Sequence, residues 1–196
     1  MDRICDRQTL KAWLTAEKKG LHVKGGGLRI VLRRLAGFEP EVLWHYQKRL
    51  RKTEYYLNTG KKIPYAVSRA LLNRLSNKYA IHIFPNVFGK GLHIMHVGPI
   101  LTNANARAGE NCSVHMNTAI VAHGHTADAP RLGSDIVIGV GATVLGGVEI
   151  ADGIAIGAGA VVNKSFTEPG IAIAGVPARK ISDNGRAAWN KEHKNT

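Results

Sequence analysis

Only two cysteines, Cys5 and Cys112, occur in 196 residues. They lie far apart, and one bridge would staple a chain of this size poorly, so a disulfide framework is excluded and a reduced, cytoplasmic setting is expected. Nowhere is there a run of the ~20 apolar residues that a membrane-spanning helix needs. The opening MDRICDRQTLKAW sets Asp2 and Asp6 among the bases and has no apolar core, so no signal peptide is expected. A G-x-S-x-G elbow is also lacking, which removes one common form of Ser-His-Asp chemistry. The length suits one principal domain with a smaller attachment.

Acidic residues are scarce in one part of the chain only. The formal net charge is +13, yet residues 1–80 hold 18 Lys and Arg against 6 Asp and Glu, while residues 81–196 hold 9 against 8. The segments LRIVLRRLAGF and YAVSRALLNRLSNKYAI space apolar residues by three and four with Arg on the other face, which predicts amphipathic helices. Breaks are expected at Gly25 to Gly27 and at Lys61 to Pro64. Residues 1–80 therefore read as a basic α-helical region, 81–182 as the main domain, and 183–196 as a tail with a short helix. The basic helices are expected to pack on the main domain, with peripheral contact to an anionic membrane at the inner face as a second role. No nucleic-acid recognition motif is present, and no nucleic-acid partner is expected.

What is abundant is a period of six. From Ile138 the chain reads IGVGAT, VLGGVE, IADGIA, IGAGAV, VNKSFT, returning an aliphatic residue at Ile138, Val144, Ile150, Ile156 and Val162. Leu132, Ile120, Val114 and Ala108 keep the frame upstream, and Ile100, Ile94 and Phe88 follow after a two-residue offset. Six fits neither a helix face nor a long alternating strand. It fits short strands separated by bends, three to a turn of a triangular coil, with Ile120, Ile138 and Ile156 stacked on each other, and Val144 on Val162, at about 4.8 Å.

Nine histidines are present, and five of them, His93, His96, His115, His123 and His125, fall within the repeat. The repeat breaks at VAHGHTADAPR, which predicts a protruding loop, and again at His96 beside Gly98 and Pro99. The two breaks are expected to form a cleft. A histidine with its ordinary pKa near 6.5 suits removal of a hydroxyl proton. His93, three residues before His96 and on the opposite strand face, reads as structural. A three-histidine zinc site from His96, His123 and His125 is the rival reading, although no local spacing resembles a metal motif.

The hexapeptide pattern, the ending AIAGVPARKI and the segment FGKGLHIMH resemble the left-handed parallel β-helix acyltransferases, in the branch of the serine acetyltransferases and polysaccharide O-acetyltransferases. The resemblance covers about residues 80 to 182. It implies a mainly β fold, a left-handed parallel β-helix preceded by the small basic helical region, working as a homotrimer with the cleft between neighbouring coils. It also implies acetyl-CoA as co-substrate, direct transfer to a hydroxyl and no metal. His96 takes the place of the catalytic base of the serine acetyltransferases, and His125 that of the loop histidine of the sugar acetyltransferases. His123, Asp128 and Asn117 are the acceptor-binding candidates. Gly141, Ala142, Gly157, Ala158, Ala174 and Gly175 are expected along the pantetheine arm, with Lys164, Arg179 and Lys180 at the phosphates.

Three departures bear on the acceptor. Met95 stands where an aspartate precedes the base, Ala80 or Ile81 where another acid holds the serine amino group, and DAP at Asp128 to Pro130 loses a histidine. The expected acceptor is therefore a sugar hydroxyl of a surface or capsular polysaccharide or its precursor. Serine O-acetylation for cysteine biosynthesis is the alternative, and a non-catalytic scaffold or metal-binding module is the alternative of another class.

Overall fold

The computed structural model describes residues 2–124 and 128–188. Four helices come first: α1 (Arg7–Gly20), α2 (Gly27–Leu35), α3 (Glu39–Asn58) and α4 (Lys62–Tyr79). Asp6 caps α1 by accepting a hydrogen bond from the Thr9 amide at 2.7 Å. The glycine triplet supplies the N-cap and first residue of α2. Apolar spacing pointed to α2 and α4 but missed α3, because the buried face of α3 is partly polar. Glu41, Gln47, Arg51, Thr53 and Glu54 are all buried along it.

From Ile81 onward the chain coils around three parallel sheets. Sheet A holds β1 (Ile81–His82), β3 (Ile100–Thr102), β6 (Thr118–Val121), β9 (Thr143–Leu145) and β12 (Val161–Val162). Sheet C holds β2 (His93–Ile94), β5 (Ser113–Val114), β8 (Val137–Ile138), β11 (Ala155–Ile156) and β13 (Ala172–Ala174), closed by an antiparallel β14 (Arg179–Ser182). Sheet B holds β4 (Arg107–Ala108), β7 (Arg131–Leu132) and β10 (Glu149–Ile150), extended by bridges at Phe88 and Phe166. One residue per segment points inward, as Ile94, Val114, Ile138, Ile156 and Ile173 do on sheet C, each at most 2 % exposed. Coils approach so closely at the corners that a Cβ on Gly139 would lie 2.6 Å from the Ala158 amide nitrogen.

The stacking expected from the sequence needs one correction. Ile138 lies on Ile156 and Val144 on Val162, each a step of 18 residues. Ile120, however, pairs with Val144, and it is Val114 that pairs with Ile138, each a step of 24. The segment between β6 and β7 adds six residues without adding a face. The period survives while the phase moves by one sheet.

Both ends of such a coil expose unpaired strand edges. At the first coil, α3 covers them with side chains. The Tyr46 hydroxyl donates to the Ile81 carbonyl at 2.9 Å, Gln47 Nε2 to Leu92 at 2.8 Å, and Arg51 to Phe88 and Gly89 at 2.9 and 2.7 Å. Arg51 is fully buried and also pairs with Glu17 of α1 and Glu54 of α3, so α1, α3 and the first coil share one polar fastening. At the far end β14 covers β13, and the tail then folds back. The amides of Gly185 and Arg186 donate to Gly170 and Gly153.

Candidate active site

Each corner of the coil is a column of turns, one per level. The corner between sheets C and A carries His96 in the first coil and His115 to Asn117 in the second. Below them come Gly139 to Ala142, then Gly157 to Ala160, then Gly175. His96 therefore stands at the top of a glycine and alanine ridge, about 4.8 Å per level. Asn117 is exposed, with φ at +60°, which identifies it as a turn residue of that ridge.

His96 is half exposed, and its Nδ1 lies 3.3 Å from Glu39 Oε2. The other oxygen, Oε1, accepts a hydrogen bond from the Val97 amide at 2.7 Å. The His115 ring lies 6.2 Å from that of His96, tilted by 43°. Beside this group a cavity of about 490 Å³ opens over sheet C, lined by His22, Glu39, His93, Met95, Ser113 and Arg186. Its walls come from the end of α1, the start of α3, the first two coils and the returning tail. Arg186 is set there by bonds from Nη1 to the carbonyls of Asn111 and Ile136.

His93 lines this cavity and His96 does not; Glu39, which also lines it, is the residue that reaches His96. Burial, then Arg186 and the neighbouring His22, His115 and His96, hold His93 below the usual imidazole range. These surroundings disfavour its charged form. Burial pushes the Cys112 thiol up to about 12, which rules it out as a nucleophile. A larger hollow of about 660 Å³ lies on sheet B, but it contains no histidine.

The other sequence-chosen residues distribute unevenly. His123 and Asp128 flank the break between β6 and β7, at the corner between sheets A and B. There His123 packs near Gly146, and Asp128 lines a small hollow with Asn105, Arg131 and Glu149. The two breaks thus sit on different corners, and within one chain they do not form the single cleft expected. His125 lies outside the described residues, as do residues 189–196 of the tail. Among the described residues no group of three or more His, Cys, Asp or Glu is arranged to hold a metal, and no helix is long and apolar enough to cross a membrane.

On the ridge, Gly141, Gly157, Ala158, Ala174 and Gly175 are at least partly open, whereas Ala142 is buried in the core. Lys164 belongs to the A/B corner, where its Nζ lies 5.3 Å from the Phe166 ring centroid. Lys180 is engaged by Glu168 and Asp183, both at 2.6 Å, and Arg179 donates to the Ala178 carbonyl. Two residues that sequence reasoning missed are Glu39 and Arg186. Both reach the site across long separations, 57 residues for Glu39 and His96, and no local motif marks either one.

No family model matches the chain. Among curated proteins, the serine acetyltransferase of Buchnera aphidicola subsp. Acyrthosiphon pisum is 28% identical over 158 residues, covering 78% of this chain and 56% of that protein. That of Synechococcus elongatus is 29% identical over 144 residues, covering 72% and 53%. The chain thus spans about half the length of the curated relatives it matches. Among solved structures, a serine acetyltransferase in complex with CoA aligns with a TM-score of 0.69 at 20% identity, over 89% of this chain and 71% of that one. The serine acetyltransferase of Brucella abortus strain S19 gives 0.71 at 21% identity, over 92% and 72%. The chain has the left-handed β-helix fold of these structures, and its sequence is similar to serine acetyltransferases.

Proposed function

We propose that the protein is an acetyl-CoA-dependent O-acetyltransferase, with serine as the acceptor. The observation that carries the reading is His96, half exposed at the head of the glycine and alanine ridge and next to the cavity, in a chain whose relatives are serine acetyltransferases. A thioester is already activated, so transfer needs no covalent intermediate. The base takes the hydroxyl proton as the oxygen attacks the carbonyl, and CoA leaves as the thiol. A backbone N–H of a corner turn is suited to stabilise the oxyanion. The open ridge residues Gly141, Gly157, Ala158 and Gly175 allow a pantetheine arm to approach the backbone. Carboxylate and guanidinium groups, from Glu39 and Arg186, line the same cavity, which fits an acceptor carrying both charges.

A second acceptor, a sugar hydroxyl of a surface polysaccharide or its precursor, is favoured by one observation: Met95 lines the cavity where the branch carries an acid. Assembly as a homotrimer, which the resemblance implies, would set the cleft between neighbouring coils. Incubation with acetyl-CoA and either serine or a panel of sugars, following free thiol, tests the reading. Serine-dependent release supports it, and sugar-dependent release moves the acceptor to the second reading. No release with any acceptor, together with no CoA binding, overturns it.

A further inference from the structure

The carboxylate of Glu39 touches the coil twice, and both contacts converge on the break that carries His96. Oε1 is held by the Val97 amide at 2.7 Å, which turns Oε2 towards His96 Nδ1 at 3.3 Å. Glu39 opens the first turn of α3, and α3 is fastened to the first coil by Tyr46, Gln47 and Arg51. The carboxylate is therefore placed by a rigid element rather than by a loop. Among the described residues, Glu39 from α3, His93 from β2 and His115 after β5 face His96, and Glu39 is the one of these that accepts without also donating.

We propose that Glu39 is the positioning residue of the base, holding the proton of neutral His96 on Nδ1 so that Nε2 presents its lone pair to the acceptor hydroxyl. The role of Nε2 as base rests on the acetyltransferase reading above; the tautomer does not. A carboxylate can only accept, so it selects the ring form that donates from Nδ1. The helical region, on this assignment, supplies a working part of the site.

Glu39→Gln separates this role from a packing role. A glutamine has one acceptor oxygen, which the shorter bond from the Val97 amide retains. Its NH2 then faces Nδ1 as a donor and selects the opposite tautomer. The measurement is the imidazole ¹⁵N spectrum of the full chain with labelled histidine, on the alkaline side of the titration, with the His96 signals assigned by their loss in His96→Ala. Protonated Nδ1 in the wild type, protonated Nε2 in Glu39→Gln and a return of protonated Nδ1 in Glu39→Asp are expected. Protonated Nε2 in the wild type, or the same tautomer in wild type and Glu39→Gln, overturns the proposal. Asp keeps the charge and both acceptors, so a failure of Glu39→Gln to fold leaves the wild-type tautomer and Glu39→Asp as the deciding pair.

Turnover is the second readout. With whichever acceptor is used, Glu39→Gln is expected to lower kcat by about 100-fold or more while KM for acetyl-CoA changes by no more than about twofold, and Glu39→Asp to recover about tenfold. Wild-type kcat in Glu39→Gln overturns the role. A wild type that neither releases thiol with any acceptor nor binds CoA defeats the acetyltransferase reading, and the tautomer measurement still decides the placement of the proton.

Discussion

In the coil, Val114, Ile138, Ile156 and Ile173 meet nearly the same surroundings at each level of sheet C. In the helical region, Arg51 meets Glu17, Glu54 and two carbonyls of the first coil. Repetition makes each coil level a modest, interchangeable contribution, much as in other stacked repeats. Fastening by one buried ion cluster makes the helices depend on a few side chains. The cost of losing a residue should therefore differ sharply between the two regions.

Arg51→Ala should break the comparison most severely. It leaves Glu17 and Glu54 buried without their guanidinium and removes donors from two carbonyls of the coil. Burial already pushes the Glu54 carboxyl upward against the opposing effect of Arg51. A loss of about 3–5 kcal/mol is expected in denaturant unfolding. Gly139→Ala is expected to be among the heavier changes of a small residue in the coil. The new Cβ must be accommodated against the Ala158 backbone, at about 1–3 kcal/mol by the same measurement.

The acid side sharpens the contrast. Burial, reinforced by Arg34, Arg49, Lys48 and Lys78, pulls His45 of α3 from 6.5 down to about 4. The unfolded chain takes up this proton near the upper value and the folded chain only near the lower one, so stability falls as pH is lowered between them. His93 shifts in the same direction. About 1–2 kcal/mol should be lost between pH 7 and 4.5, and His45→Gln should recover part of it. Lys180→Ala marks the small end. Its partners Glu168 and Asp183 are exposed, and the melting temperature should stay within about one degree.

The difference between the regions also sets how much was legible in the sequence. A period of six is visible because the inward positions repeat, and it located the short strands. It could not show which face each strand joins, since the six residues added after β6 preserve the period while advancing the phase. Handedness came from resemblance, because ordinary crossover preferences favour the other hand. Helix α3 escaped because its buried side alternates Tyr46 and Leu50 with Gln47, Arg51 and Glu54, which apolar spacing does not register. His96 was chosen as the candidate base through the resemblance carried by FGKGLHIMH. Its partner Glu39 was not, being 57 residues away. Lys180, expected at the phosphates of the co-substrate, is ion-paired with Glu168 and Asp183 in the fold.

The central claim is that the imidazole at position 96 removes the acceptor proton. Thiol release from acetyl-CoA with serine, compared between the wild type and His96→Ala at matched CoA occupancy, tests it directly. The account predicts a fall in kcat of about 10²–10⁴-fold with CoA still bound. A variant that turns over at the wild-type rate would contradict it.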